Sequence, residues 1–533
     1  VKLPQGGPAP QAKIRIRSTG PWTATTSLPE AVLLQPASGT GDSAAFVLPA
    51  GWWVERQAPG RHPVSITIAS GTARSTVSVV FEVIPRVPPR WDSASEPKGC
   101  TDAPGLLPAN KAVCTIVDFR PPGNFLPPPP GQSYRDPNFG SLIHMLADTP
   151  SLHGYSTPSP ISANSRYALI SLKSRTVAVT VPQGKPYGKT GSLGMEGTMF
   201  DALDDNVLYS VSSGAIRMHN LATGKTKTLV DYTKKPFQFE TISTGGTGET
   251  SKDNWISFHA PRERKVCALD TTTLQTYCGA IDAPGNVDYT TMSKGVDRAS
   301  GLRYVVVIGP QPFLLYTVDV ASKKLVFAGR GPENIGMSGG NRDGICDPNE
   351  VCEGGSHSDT YEDAGGNQYL VGAHETQTPC EFSLYSIRLN AGQKMGLSSE
   401  AGGGLKRILP LFRCGGKDTW ADFHLGCAKR APYCVVSITS HAYNRPRQPG
   451  DLSALPASPY LGEVFLFGDN GANVRRLFFH RSLSFANEEA NGYWSTPRAS
   501  ISPDGSLVIA DSNFGFPNQQ RVVVAETGVK GSR

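Results

Sequence analysis

Apolar residues recur along this chain in short runs, cut by glycine, proline, asparagine and aspartate, and no long stretch carries a helical period. Across residues 12–84 the pattern alternates in short segments, Lys13–Ser18, Ala44–Leu48, Val64–Ile68 and Thr76–Val83, with turn signals at Gly39-Thr-Gly41 and Pro59-Gly60. That spacing predicts a small Ig-like sandwich. The end of the chain, Arg498 to Gly515, reads as a strand, a Pro503-Asp504-Gly505 turn and a second strand through Val508 and Ile509. A third strand follows at Gln520–Glu526. Proline presets the turn and glycine takes the positive φ after it. A sheet this small cannot stand alone. The unit repeats loosely back to residue 141, with inner strands expected to begin near Ser156, Gly197, Thr241, Asp288, Gly355, Ala421 and Thr496. The spacing, about 41 to 75 residues, is wider than the 40–50 of regular propeller repeats, so several units carry insertions. The prediction is an all-β chain: an Ig-like sandwich over 1–84, a Pro-rich linker over 85–135, and a seven-bladed β-propeller over 136–533. Ser141–Ala147 is placed to close the ring by adding a strand to the seventh blade. Turns such as Ala222-Thr-Gly224, Asp270-Thr-Thr-Thr and Ala321-Ser-Lys323 recur between outer strands.

Composition narrows the class. With 57 glycines, 44 prolines and 18% charged residues among 533, the chain is turn-rich rather than helical or disordered. No apolar run approaches the roughly 20 residues that span a bilayer. The chain starts at Val1 and its first Met is Met145, so the start is expected to be a processing boundary. Net charge is +6 without a concentrated Lys/Arg run or a basic–aromatic stripe, which argues against nucleic acid as partner. It suits an anionic polysaccharide, and equally a mildly basic surface.

Ten cysteines fall largely into near neighbours: Cys100/Cys114, Cys267/Cys278, Cys346/Cys352 and Cys427/Cys434, leaving Cys380 and Cys414 to pair across a blade. No zinc-type Cys-x-x-Cys spacing occurs. Disulfides are the expectation, and with them an oxidising compartment: secreted, extracellular or periplasmic.

Two constellations carry candidate chemistry. Within Gly339–Glu350, the residues Asn341, Asp343, the Ile345 carbonyl, Asp347 and Glu350 fall at positions 3, 5, 7, 9 and 12 of a calcium loop, with Gly344 at the turn. Position 1 is Gly339 instead of Asp, flanking helices are absent, and Cys346–Cys352 would staple the insertion 339–352. Hard carboxylate oxygens at that spacing suit Ca²⁺. The second constellation is His357, His424 and His480, each ahead of an inner strand or the loop into blade seven. The starts of inner strands converge on one mouth of a propeller's channel, so the three imidazoles could meet there and suit a divalent metal such as Mn²⁺ or Zn²⁺. A backbone-bonded structural histidine is the plainer alternative for each. No Ser-His-Asp order, phosphate-cradling loop or haem motif is present.

The propeller portion resembles the secreted bacterial TolB-like and oligogalacturonate-lyase-like seven-bladed propellers. The residues that carry this are Tyr155-Ser, Gly355-Ser-His357-Ser-Asp359, Asp422-Phe-His424, His480-Arg-Ser482 and Tyr493-Trp-Ser-Thr-Pro-Arg498 through Gly505. The N-terminal run around Trp22 and Arg61-His-Pro-Val-Ser-Ile-Thr-Ile resembles the BACON-type Ig-like modules of secreted bacterial carbohydrate-active proteins. The lyase resemblance implies a His-rich metal site that binds a uronate carboxylate while a base removes the C5 proton. Tyr493, Arg498, Asp359 and Asp422 are then the candidates for base and electrostatic partner. The fuller ligand set of that family is not matched, since there is no His-x-His pair and no corresponding glutamine. The function expected is an exported carbohydrate-active or glycan-binding propeller acting on acidic polysaccharide, by metal-assisted β-elimination if catalytic. The alternative is a structural or interaction component of a cell-surface assembly, partnered by itself or other surface proteins.

Overall fold

A computed structural model of the chain describes residues 2–4, 12–29, 32–49, 60–84, 90–91 and most of 127–530. The longest propeller stretches outside it are 332–356, 391–404, 414–420, 441–459, 483–495 and 515–519. The calcium loop, Tyr493, Cys100, Cys114, Cys346, Cys352 and Cys414 therefore lie outside the described residues, as do the side chains of Cys380 and Asp422. Every described element is a strand.

The N-terminal alternation builds two sheets. One contains Pro21–Thr26, Gly60–Ser70 and Ala73–Ile84, and the other contains Ala12–Ile16, Val32–Gln35 and Ser43–Pro49. Their apolar faces meet over Ile14, Ile16, Trp22, Val47, Val64, Ile66, Phe81 and Val83. The period of 2 in the sequence puts one face of each strand inward. Gly39 lies against the indole of Trp22, where a Cβ would come within 2.6 Å of the ring.

From residue 133 onward the chain forms seven units of three to five strands, the third completed by a single bridge at Ser243, which makes it a seven-bladed propeller. Blades one to six span 151–187, 198–231, 243–280, 289–330, 359–413 and 421–479. Blade seven combines Ser500–Ile501, Leu507–Ser512 and Arg521–Glu526 with two strands from before the first blade, Leu142–Ala147 and Ser133–Arg135. Ile143 pairs with Ala525 and Met145 with Val523, closing the ring as the sequence led one to expect. The second early strand, Ser133–Arg135, goes beyond that expectation. A further pairing joins Trp91 to Val529, so the Pro-rich segment is tied to the chain's end.

Side chains between blades make the core. Tyr361, Leu384, Phe423, Val436 and Phe465 fill the gap between blades five and six, and Val266, Met292, Val305 and Leu314 that between three and four. The outer hairpins explain the recurring turn motif. Asn220, Asp270 and Asp319 accept backbone N–H groups of Thr223, Thr272 and Ala321 at 2.9, 2.9 and 3.0 Å. Gly224, Leu274 and Lys323 then take the left-handed position, at φ +72°, +57° and +56°. Short polar side chains that bond their own turn are the physical content of this motif.

Disulfides join Cys267 to Cys278 and Cys427 to Cys434, each across adjacent strands of one blade. Both pairings match the sequence reading, and among the described residues no cysteine is free. No described helix is long and apolar enough to cross a membrane.

Candidate functional site

The inner strands of all blades begin on one face, and there the inner segment of blade one crosses part of the channel onto blade six. Gly426 on blade six makes this possible: a Cβ there would lie 2.2 Å from the Ser156 carbonyl. The crossing carries Tyr155 onto two of the expected histidines. Its hydroxyl donates to His357 Nε2. Its ring stands edge-on to both imidazoles, with centroids 5.5 Å from His357 and 5.6 Å from His424. His357 and His424 stack on each other at 4.3 Å.

The tautomer of His357 follows from its partners. Nδ1 faces the carbonyl of Phe423, which can only accept, so Nδ1 carries the proton and Nε2 the lone pair that meets Tyr155. Burial pushes the His357 imidazole down to about 4, so it is neutral across the physiological range. His424 lies fully buried beneath, and burial, with the neighbouring His357, Arg498 and His153, holds it well below the ordinary range. Tyr155 and His357 are only partly buried, whereas His424 is closed off from solvent.

The other sequence candidates are placed differently. His480 donates Nε2–H to the Ile438 carbonyl at 3.1 Å and accepts the Ser482 N–H on Nδ1 at 2.9 Å. With both nitrogens committed it has no lone pair for a metal, and it does not join His357 and His424. Among the described residues no group of three or more His, Cys, Asp or Glu is placed to hold a metal ion. Arg498, expected as a fork for a ligand carboxylate, is instead wholly buried and ion-paired with Asp511 at 2.6 Å. It sits at φ +42°, a strained position for a side-chain-bearing residue. His153 braces the same pair, with Nδ1 2.8 Å from Asp511 and Nε2 2.9 Å from the Arg498 carbonyl. In this His153–Asp511–Arg498 unit the polar groups are turned on one another.

Asp359, expected as a base, is also buried. Its oxygens accept the N–H groups of Thr360 and Cys427, each at 2.7 Å, and both lie 3.0 Å from Lys294 Nζ. Lys294 also donates to Glu249, and Lys429 of blade six reaches Thr250 of blade three at 2.7 Å. The two lysines thus brace the channel from blades three to six. Burial lowers Lys429 to about 8. Tyr155, His153, Asp511 and the lysine braces were missed as site residues by sequence reasoning. Tyr155 stood within a recognised motif, but nothing local showed that it crosses the channel.

No family model matches the chain, and no curated protein does. Among solved structures it is similar to an oligogalacturonate lyase in complex with manganese, at 12% identity and TM-score 0.44, over 74% of this chain and 95% of that one. It is similar also to an oligogalacturonate lyase from Vibrio parahaemolyticus, at 11% identity and TM-score 0.43, over 75% and 97% of the two chains. A quinonprotein alcohol dehydrogenase-like protein from Bacteroides thetaiotaomicron aligns over 89% of this chain and 93% of its own, at 10% identity and TM-score 0.30. The propeller assignment rests on the strand topology itself.

Proposed function

We propose that this is an exported carbohydrate-active propeller that takes an acidic saccharide at the channel mouth. The observation that carries the reading is the Tyr155–His357 hydrogen bond, partly buried and packed on the buried His424. A tyrosine hydroxyl held by a neutral imidazole of fixed tautomer is a general-base pair. In β-elimination the Tyr155 oxygen takes the C5 proton as its own proton passes to His357 Nε2. The C5–H electrons form the C4=C5 bond, the C4–O pair leaves with the departing sugar, and that oxygen takes a proton from water while His357 returns its own to solvent. The hydrogen bond from Nδ1 to Phe423 stabilises the charge that develops on the ring. His480 does not fit a three-imidazole metal centre, and the reading rests on the Tyr155–His357 pair. Local disulfides support an oxidising compartment. Calcium at Asn341–Glu350 belongs to the same proposal as an ordering element, on the strength of its ligand spacing.

The test is incubation with polygalacturonate and alginate, followed by the ultraviolet absorbance of unsaturated uronate. Tyr155→Phe should slow turnover about 10²- to 10⁴-fold, the usual worth of a general base, with oligosaccharide binding retained. If no product forms but His357→Ala still weakens retention on the polysaccharide, the mouth binds without catalysis. Absence of both product and binding would sink the proposal.

A further inference from the structure

A second pocket opens on the same face, between blades three and four. Its volume is about 320 Å³, and His259, Pro261, Arg264, Ile281, Asn286 and Val287 line it. The face follows from strand direction. His259 lies near the end of the strand Trp255–Ala260 and bridges to Ser243, at the start of the blade-three inner segment. Inner strands start on the face where Tyr155 and His357 meet, so the pocket opens on that face of the propeller.

The imidazole of His259 distinguishes this pocket. The residue is only 4% exposed and its Nδ1 has no hydrogen-bond partner among the described residues. The rings of His144, His219, His357 and His480 bond to protein groups through both nitrogens. A buried polar atom left unmatched is costly, and native structures leave few of them. Burial also lowers His259 to about 4, so its ring meets a ligand neutral, with one nitrogen to donate and one to accept.

Arg264 supplies the charge. It is exposed at the rim, and its guanidinium donates to the carbonyls of Ala283 and Gly285, which hold it over the opening. Its backbone sits at φ +49°, fixed by the bond from the Ile281 N–H to its carbonyl at 2.8 Å. No carboxylate among the described residues pairs with it. Two of its five N–H groups are engaged and the others remain for a ligand. Pro261, Ile281 and Val287 offer an apolar side. The size sits at the low end of small-ligand sites, roughly 300–1,000 Å³, enough for one sugar ring rather than a chain.

We propose that this pocket binds a hydroxy-carboxylate of monosaccharide size, its carboxylate on Arg264, a hydroxyl on His259, and its C–H face on Pro261, Ile281 and Val287. A uronate unit of a polysaccharide held at the channel mouth and a free sugar acid share this chemistry. The polymer source rests on the reading given above for the mouth; the pocket itself does not.

Calorimetric titration of the whole protein tests it, with galacturonic acid, galactose and an oligogalacturonate as ligands. Galacturonic acid should bind, and galactose at least tenfold more weakly, since it lacks the charged partner for Arg264. Arg264→Gln, an exposed and structurally mild change, should weaken the acid about tenfold or more. His259→Leu should do likewise, and His357→Ala should leave the Arg264-dependent part of free-acid binding in place. If the oligomer binds tighter than the acid and loses affinity in both Arg264→Gln and His357→Ala, the pocket takes a unit of a polymer that also engages the mouth. If acid and oligomer bind equally and Arg264→Gln and His259→Leu weaken both while His357→Ala does not, a free acid is the ligand. No heat with either acidic ligand, or binding indifferent to Arg264→Gln yet abolished by His357→Ala, overturns the pocket. Oligomer binding without unsaturated product would count against the lyase reading and leave the pocket standing.

Discussion

Replacing Lys294 with methionine probes what holds the channel together. The ammonium lies 3.0 Å from Asp359 and donates to Glu249, and all three side chains are essentially removed from solvent. Methionine keeps the length and loses the charge, leaving two buried carboxylates with one cation fewer. Breaking a buried ion pair from one side costs on the order of 3–5 kcal/mol. The loss should depend on pH, and its sign follows from Asp359. Burial and the nearby Glu249 push that carboxyl up to about 7, with Lys294 opposing. A carboxyl raised in the folded state holds its proton there more tightly than when unfolded. Its contribution is therefore greatest below about 4 and is lost as pH rises towards 7. Without Lys294 the opposing attraction disappears, so the upward shift and the loss both grow, by about 1.4 kcal/mol per pH unit of added shift. Thermal unfolding of both proteins at pH 5 and pH 8 is the assay. The variant should melt lower at both, with the larger deficit at pH 8. Adding Glu249→Gln and Asp359→Asn should recover most of it, since a neutral network has nothing left unpaired. An equal deficit at the two pH values, or none, would refute this account of the channel.

Other outcomes follow from the same structure. Acidification between about pH 6.5 and 4 should destabilise the wild type, because the three histidines His259, His357 and His480, each pushed down to about 4 by burial, outnumber the two raised carboxyls Asp359 and Asp204 that gain over the same window. Unfolding scans that stay flat over that window would contradict it. Arg498→Met should cost on the order of 3–5 kcal/mol by stranding Asp511, whereas Arg498→Met with Asp511→Asn should cost less; equal melting of the two variants would count against the pair. Non-reduced peptide mapping should recover Cys267–Cys278 and Cys427–Cys434 as linked pairs, each worth about 2–3 kcal/mol in the chain-entropy view. Chelation with EGTA should lower the melting temperature and Asp343→Ala should abolish that response; indifference to EGTA would remove calcium from the loop.

Much of the fold was legible because its causes are local. Strand alternation, the Asp- and Asn-bonded turns at Asn220, Asp270 and Asp319, and the Pro503-Asp504-Gly505 corner are written within a few residues of where they act. Repetition of such units implies a ring, and a spare strand at 142–147 implies its closure. The two cross-strand disulfides were readable for the same reason, as short spacings within one hairpin.

The site was only half legible. Topology brings His357 and His424 together, as inner-strand starts must converge, but topology alone says nothing of where a side chain points. His480 shares their position in the repeat, yet its neighbours Ile438 and Ser482 take both ring nitrogens. Arg498 and Asp359 are the right residue types, but Asp511 and Lys294, from another strand and another blade, turn them into buried supports. Tyr155 enters the site only because Gly426 lets one segment cross the channel. By itself the sequence determined which units form and in what order, because strands and turns are short-range. Only the tertiary structure decided which polar groups face each other across the channel. That outcome depends on partners hundreds of residues apart, whose burial and pairing set both charge and orientation.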